Sequence, residues 1–431
     1  VELLERAAYY GVFVVITLYL SRILGFSDVQ AAWLSGSFAA GLYFLPVFSG
    51  ALADKIGFRK ALLLAFALLA TGYASLAIFP SMLEAKGLVE YGRTVNFTGL
   101  LEADVRWVIV PILVVIMIGG SFIKAVISAT VAISTSSENR ARGFSIFYLI
   151  VNIGAFSGKT IVKPLRESMG DLGLINLNYF AAGMTALAFL AILLFFKNVE
   201  EKTNGKSFSE ILLALKSVLS NGRLITLLLI ITGFWIVQQQ LYATMPKYVL
   251  RMAGEGASPS WYANVNPLVV VLTVSFVTTL MSKKSALNSM AVGMFIMPFA
   301  ALVMAAGNLF EGDIDLGIVQ FHPIAFMMIV GITFQALAES FISPRFMEYF
   351  SLQAPKGEEA LYLGFSYMHS FISSIIGFGL SGYLLTAYCP DPRLFESREA
   401  WELASSNAHY IWIIFAGIAA TSAVSLIIYG K

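Results

Sequence analysis

Three charges fall in the first two turns of a segment that is otherwise apolar enough to cross a membrane. Glu2, Glu5 and Arg6 stand at i, i+3 and i+4, so all three project from one helical face, with Tyr9 and Tyr10 a turn further on. A charge at membrane depth costs about 3 kcal/mol even on the mildest insertion scales, and such residues persist where they line a substrate or ion pathway. The face must therefore look into a polar cavity, and the chain reads as a transporter.

Composition agrees with that class. With 58% hydrophobic residues, 13% charged residues and a mean hydropathy of +0.79, the 431 residues describe a polytopic membrane protein. A net charge of +2 gives no reason to expect a nucleic-acid partner. The single cysteine, Cys389, excludes an internal disulfide and a cysteine-based zinc site. The chain starts at Val1 without a methionine, so a short cytoplasmic head is expected upstream.

Crossing a hydrocarbon core of about 30 Å takes roughly 20 apolar residues, and about twelve such runs can be laid out. They lie near 1–24, 29–54, 60–80, 106–135, 142–169, 175–197, 223–251, 261–282, 286–307, 317–350, 358–388 and 408–430. Several exceed the membrane thickness, which implies tilt or extension beyond the bilayer. Residues 198–222 interrupt the series, polar through Glu200, Glu201, Lys202, Asn204 and Lys206, then amphipathic through Ile211-Leu212-Leu213. This stretch reads as a cytoplasmic linker with a short amphipathic helix, between an N-terminal six-helix bundle over 1–197 and a C-terminal one over 223–431. The fold class is all-α.

Lys and Arg set the orientation. If the N-terminus is cytoplasmic, the inside set includes Lys55, Arg59, Lys60, Arg140, Arg142, Lys197, Lys202, Lys206, Lys216, Lys283, Lys284, Lys356 and Lys431. The outside set, with Lys86, Arg93, Arg106, Lys247 and Arg251, is smaller. Both termini then lie inside, and the plasma (inner) membrane is the expected location. Residues 81–105 are expected to form an outside loop or short helix; Asn96-Phe97-Thr98 within them matches a glycosylation sequon, a pattern that arises often by chance.

Between the second and third runs, Gly50-Ala51-Leu52-Ala53-Asp54-Lys55-Ile56-Gly57-Phe58-Arg59-Lys60 resembles the loop signature of the major facilitator superfamily. The resemblance implies the major facilitator fold, two six-helix bundles with alternating access at their interface. It also implies a conformational latch built from Gly50, Asp54, Lys55, Gly57, Arg59 and Lys60.

Other motifs narrow the resemblance to the proton-coupled oligopeptide transporter family. Glu2, Glu5, Arg6, Tyr9, Tyr10 and Gly11 fit its opening ExxERFxYYG, with Ala7 in place of the aromatic. Gly119-Gly120-Ser121-Phe122-Ile123-Lys124 resembles its glycine-rich segment ending in lysine, and Phe144-Ser145-Ile146-Phe147-Tyr148-Leu149-Ile150-Val151-Asn152-Ile153-Gly154 its FSxFYxxINxG signature. Asn266-Pro267, Glu339-Ser340-Phe341-Ile342-Ser343-Pro344 and Ala354-Pro355 continue the agreement to the eleventh helix.

The resemblance implies import of di- or tripeptides, or a related small zwitterion, with protons. It links Glu2, Glu5, Arg6 and Lys124 to proton coupling, since protonating a glutamate would free Arg6 or Lys124. A zwitterion needs two anchors: Glu339 suits the ammonium, while Lys124 and the first-helix charges lie in the opposite bundle. Tyr9, Tyr10, Tyr43, Asn152, Trp235, Gln238 and Asn266 complete the candidate substrate site. Packing is the competing reading for Tyr43 and Trp235, as is an ion pair of Glu339 with Lys159 or Arg345, or of Lys124 with Glu2 or Glu5.

Departures limit how far the substrate carries over. Phe13 stands where many members have arginine, Gln238 where they have an acid, Ala125 where they have proline, and Ser366-Tyr367 where a tryptophan is common. Lys159 is an additional intramembrane charge. These changes leave open a proton antiporter exporting amphipathic compounds, or a substrate sensor without net flux. His322, His369 and His409 lie on separate helices without paired metal-ligand spacing, and no phosphate loop, HExxH or nucleophile elbow occurs. No enzyme activity, metal or cofactor is expected beyond the proton as coupling ion; the expected partners are the substrate and the lipid bilayer, with the chain as a monomer.

Overall fold

The computed structural model describes residues 1–134, 140–196, 210, 216, 219–315, 317, 320–353 and 364–430. The linker expected over 198–222 falls largely outside the described residues. So do Ala354-Pro355-Lys356, Lys197, Lys202, Lys206 and Lys431, and the side chains of Asp54, Arg140, Arg142, Phe144, Ser145 and Tyr148.

Helices account for nearly all of the described architecture. They are α1 (Glu2–Phe13), α2 (Asp28–Phe44), α3 (Pro46–Ile56), α4 (Phe58–Ala85), α5 (Ile109–Ser134), α6 (Arg140–Met169) and α7 (Leu172–Phe195). After the linker follow α8 (Gly222–Gln238), α9 (Met245–Ala253), α10 (Val265–Leu280), α11 (Ala286–Ala305), α12 (Pro323–Leu352), α13 (Met368–Tyr388) and α14 (Tyr410–Gly430). Short turns of helix fill several breaks between them.

Among the described residues, nine helices are long and apolar enough to cross a membrane, or ten when the bent pair Glu2–Phe13 and Ile16–Ile23, at 45°, counts as one span. Two expected spans are not among these. Residues 29–54 are broken at Leu45, because Pro46 has no N–H to continue the helix and starts a new one. The span expected over 142–169 lies in the 30-residue α6, part of whose first turns falls outside the described side chains. Pro246 likewise restarts the seventh span after Thr244. The third span continues through Pro80 to Ala85, longer than the 60–80 expected.

Residues 81–105 correct the expectation of a loop or short helix. Val89–Tyr91 (β1) pairs antiparallel with Val95–Phe97 (β2), Tyr91 opposite Val95. Val89, Tyr91, Val95 and Phe97 alternate with Glu90 and Asn96, the two-residue period of a strand, and Gly92 opens the turn. The hairpin pins nearby helix ends: Tyr91 donates from its hydroxyl to Ile23 O at 2.9 Å, and Arg93 Nη1 donates to Ser168 O at 3.1 Å. Beside it Arg22 and Asp171 form a 3.3 Å ion pair.

The chain divides into two compact units, Val1–Ser27 with Ser37–Lys216, and Asp28–Gly36 with Ser217–Lys431. In the first, α1 packs on α6 and α7, and α4 on α5 and α7. In the second, α11 packs on α12 and α14, and α8 on α13 and α14. Small residues permit these close approaches, as in membrane bundles generally. A Cβ on Gly11 would stand 3.1 Å from Gly158 O, one on Gly154 2.8 Å from Leu3 O, and one on Gly158 would run into Ala7 O. The obstructing atoms are backbone and cannot rotate away. Gly158→Val is therefore expected to separate α1 from α6 and destabilise the protein by about 1–3 kcal/mol, read as a lower unfolding temperature in detergent. An unchanged temperature would show that the crossing is not close-packed.

Candidate functional site

In the first unit the α1 motif forms one ionic group. Arg6 Nε lies 3.1 Å from Glu2 Oε1 and 2.5 Å from Glu5 Oε2. Glu5 is 3% exposed and Arg6 7%, so the charges sit away from water and depend on one another. The Arg6 guanidinium also stands 5.6 Å from the Tyr9 ring centroid. Tyr9 stacks on Phe13 at 5.1 Å and meets Tyr10 edge-on at 5.0 Å, which makes an aromatic wall one turn above the charges.

Lys124, on α5, does not pair with Glu2 or Glu5. Its Nζ stands 3.5 Å from the centroid of the Tyr43 ring of α2, a cation–π contact, and it makes no ion pair among the described residues. The static lysine–glutamate bridge weighed from sequence is thereby corrected: Arg6 alone takes both carboxylates. Tyr43 holds the cation rather than merely packing between helices. Asn152, on α6, is partly exposed.

The second unit gathers Gln238, Asn266 and Glu339 around one oxygen. Gln238 Nε2 donates to Glu339 Oε2 at 2.7 Å and Asn266 Nδ2 donates to the same atom at 3.1 Å. Both donors are neutral amides, which stabilise a carboxylate without cancelling its charge. Gln335, one turn before Glu339 on α12, donates to Val237 O and Gln238 O, both at 3.3 Å, and so fixes the end of α8 that presents Gln238. Gln238 Oε1 is buried without a hydrogen-bond partner among the described residues. Arg345, one of the partners weighed for Glu339, pairs through Nη1 with Glu348 Oε2 at 2.7 Å.

Trp235 stacks on His369 at 4.9 Å and 13°, and Phe346 meets the same imidazole edge-on at 5.1 Å. Trp235 is therefore packed, as one reading of the sequence had it, while its indole Nε1 is buried without a hydrogen-bond partner among the described residues. Sequence reasoning treated His369 as an isolated residue. Only the fold reveals that it backs Trp235.

Around the superfamily-like loop, Gly50 lies in α3 and Gly57 ends that helix at φ +88°, a conformation that favours glycine. Lys55 and Lys60 are exposed. Arg59 Nη2 donates to Leu193 O at 2.9 Å in the last turn of α7, a cation at a helix C-terminus.

A further charged cluster was not anticipated as one. Asp28, the first residue of α2, accepts from Lys247 Nζ at 2.8 Å and from Arg251 Nη1 and Nη2, each at 2.8 Å. Arg251 Nη1 also donates to Cys389 O at 2.6 Å, and its Nη2 lies 3.6 Å from Asp391 Oδ2. The sequence did place Lys247 and Arg251 four residues apart, on one helical face, but their shared acid is more than 200 residues away.

The model of the Major Facilitator Superfamily matches residues 2–312. The chain belongs to that superfamily and has its fold. Within it, the relatives support the proton-coupled oligopeptide transporter family. A dipeptide and tripeptide permease A of Pectobacterium carotovorum subsp. carotovorum (strain PC1) is 27% identical over 193 residues, 44% of this chain and 34% of that protein. The chain thus aligns with only about a third of that relative's length. A dipeptide and tripeptide permease B of Shigella dysenteriae serotype 1 (strain Sd197) is 23% identical over 97% of this chain and 92% of its own. A solved structure concerned with substrate recognition in proton dependent oligopeptide transporters superposes with a TM-score of 0.72 at 16% identity, covering 99% of this chain and 96% of that one. The apolar helices and these transporter relatives make this an integral membrane protein.

Proposed function

We propose that this chain is a proton-coupled symporter of the inner membrane, with both termini cytoplasmic, that imports di- and tripeptides or a related small zwitterion by alternating access. The observation that carries the reading is Glu339, a carboxylate that Gln238 and Asn266 orient through hydrogen bonds from neutral amides to one oxygen, bonds that do not themselves cancel the charge a substrate ammonium would seek. Lys124, set over Tyr43 and without an ion pair among the described residues, suits the substrate carboxylate. The permease relatives support the substrate class.

Proton coupling rests on the ionic group of α1. With Glu2 and Glu5 both ionised, Arg6 is neutralised in place. Protonating either one leaves the guanidinium with less counter-charge, so proton binding and anion binding favour each other. The Gly50–Lys60 segment serves as the conformational latch, and no cofactor or chemical step takes part.

The test is accumulation of labelled Ala-Ala in proteoliposomes with and without an inward proton gradient. Gradient-driven accumulation that an uncoupler collapses is expected. Facilitated entry indifferent to the gradient would remove the coupling claim, and binding without flux would make the protein a sensor.

A further inference from the structure

His369 has no part in the function proposed above, although Trp235 stacks on it. It is buried near the start of α13, its ring 4.9 Å from that of Trp235 and 13° from parallel. The imidazole is held in turn. Phe346 meets it edge-on at 5.1 Å, Phe350 packs on Phe346 at 4.7 Å, and the Ser370 hydroxyl stands 3.0 Å from its Nδ1. Phe346 and Phe350 are both fully buried, so the support cannot swing into open space.

Trp235 depends on that support for its orientation. Among the described residues its Nε1 is buried without a hydrogen-bond partner, so ring contacts set the plane of the indole. These are the His369 stack and an edge-on contact from Phe234 at 5.6 Å. Trp235 is also partly exposed, between buried neighbours on α8. Exposed Thr226 stands about two and a half turns earlier, so Trp235 projects from the opposite face of the helix. Gln238, about one turn beyond Trp235, projects close to it and donates to Glu339 at 2.7 Å. On α12, Glu339 and Phe346 are about two turns apart, so one face of that helix presents both the carboxylate and the support of His369.

We infer that His369 is a positioning residue for substrate selection, holding the Trp235 indole as a platform for a flat apolar side chain on the first residue of the peptide. The inference rests on the peptide-symport reading, in which Glu339 holds the substrate ammonium, and adds a side-chain preference to it. The ammonium and the side chain of that residue leave the same α-carbon. A side chain on the residue held by Glu339 therefore falls near the helical turn that carries Trp235 and Gln238.

The test measures how Phe-Ala, Ala-Phe and Ala-Ala inhibit uptake of labelled Ala-Ala, in the wild type, His369→Phe, His369→Leu and Trp235→Ala. The wild type is expected to prefer Phe-Ala to Ala-Ala. His369→Leu keeps bulk without a flat ring and should reduce that preference by about three- to tenfold, the range of one aromatic contact. His369→Phe should retain most of it. Adding His369→Leu to Trp235→Ala should reduce the preference no further, because the histidine acts only through the indole. A purely structural role would weaken all three peptides alike. An unchanged preference in folded His369→Leu therefore overturns the assignment while peptide transport stands. A loss confined to Ala-Phe, or a further loss in the double variant, also overturns it. His369→Met repeats the comparison if leucine is not tolerated. If neither folds while His369→Phe does, the ring is structural and the assignment is again overturned. Absence of Ala-Ala uptake by the wild type removes the symport reading, and the assignment with it.

Discussion

Replacing Asp28 by asparagine is expected to destabilise the folded protein by about 3–5 kcal/mol, the usual cost of leaving a buried charge without its partner. Asp28 accepts three hydrogen bonds at 2.8 Å from Lys247 and Arg251, whose side chains are 2% and 4% exposed. Asparagine keeps the shape but offers one acceptor where the carboxylate offers two, and it removes the charge. Asp391 relieves part of the loss at Arg251, from 3.6 Å away, and cannot replace the contact to Lys247. Burial alone would raise the Asp391 pKa, yet the hydrogen bonds from Arg393 and the charge of Arg251 hold it down at about 2. Its contribution to stability is therefore complete above the ordinary carboxylate range and is lost as pH falls through about 2. Thermal unfolding in detergent near neutral pH measures the Asp28 effect. Lys247→Met in the Asp28→Asn background should recover part of it, because one buried cation is then removed with the acid. Equal unfolding temperatures for wild type and Asp28→Asn would mean that the cluster is solvated in the native state.

The site was legible where its chemistry repeats locally. Glu2, Glu5 and Arg6 lie within five residues, so helical spacing alone puts them on one face, and the structure joins them into a single ionic group. The Gln238, Asn266 and Glu339 set was nameable only through family resemblance, since no spacing links residues on α8, α10 and α12. Their convergence on one carboxylate oxygen belongs to tertiary structure. The same limit hid the Asp28 cluster and the His369–Trp235 stack: the partners are 219 or more residues apart in the first and 134 in the second. The β1–β2 hairpin was missed for another reason. Its strands of three residues are too short for the period of two to stand out in a chain dominated by helices.

Glu339→Gln is expected to lower Ala-Ala uptake by at least about a hundredfold, as truncating one side of a buried charged contact does. The fold should tolerate the change. Glutamine has the volume of glutamate, and its carbonyl oxygen still accepts from Gln238 Nε2 or Asn266 Nδ2, so no large cavity results. What disappears is the negative charge itself. The form of the loss separates two roles. If Glu339 anchors the substrate ammonium, exchange of labelled for unlabelled peptide across the membrane fails together with gradient-driven accumulation, because both require binding. If Glu339 instead carries a proton, exchange persists while accumulation vanishes, because exchange needs no net proton movement. Lys124→Ala supplies the complementary measurement at the opposite end of the zwitterion. It should weaken uptake of Ala-Ala more than that of its C-terminal amide, whereas Glu339→Gln should erase the penalty that N-acetylation imposes on the wild type. Folded Glu339→Gln protein with full exchange and full accumulation would take Glu339 out of both roles and leave its hydrogen bonds to Gln238 and Asn266 as a structural link between α8, α10 and α12.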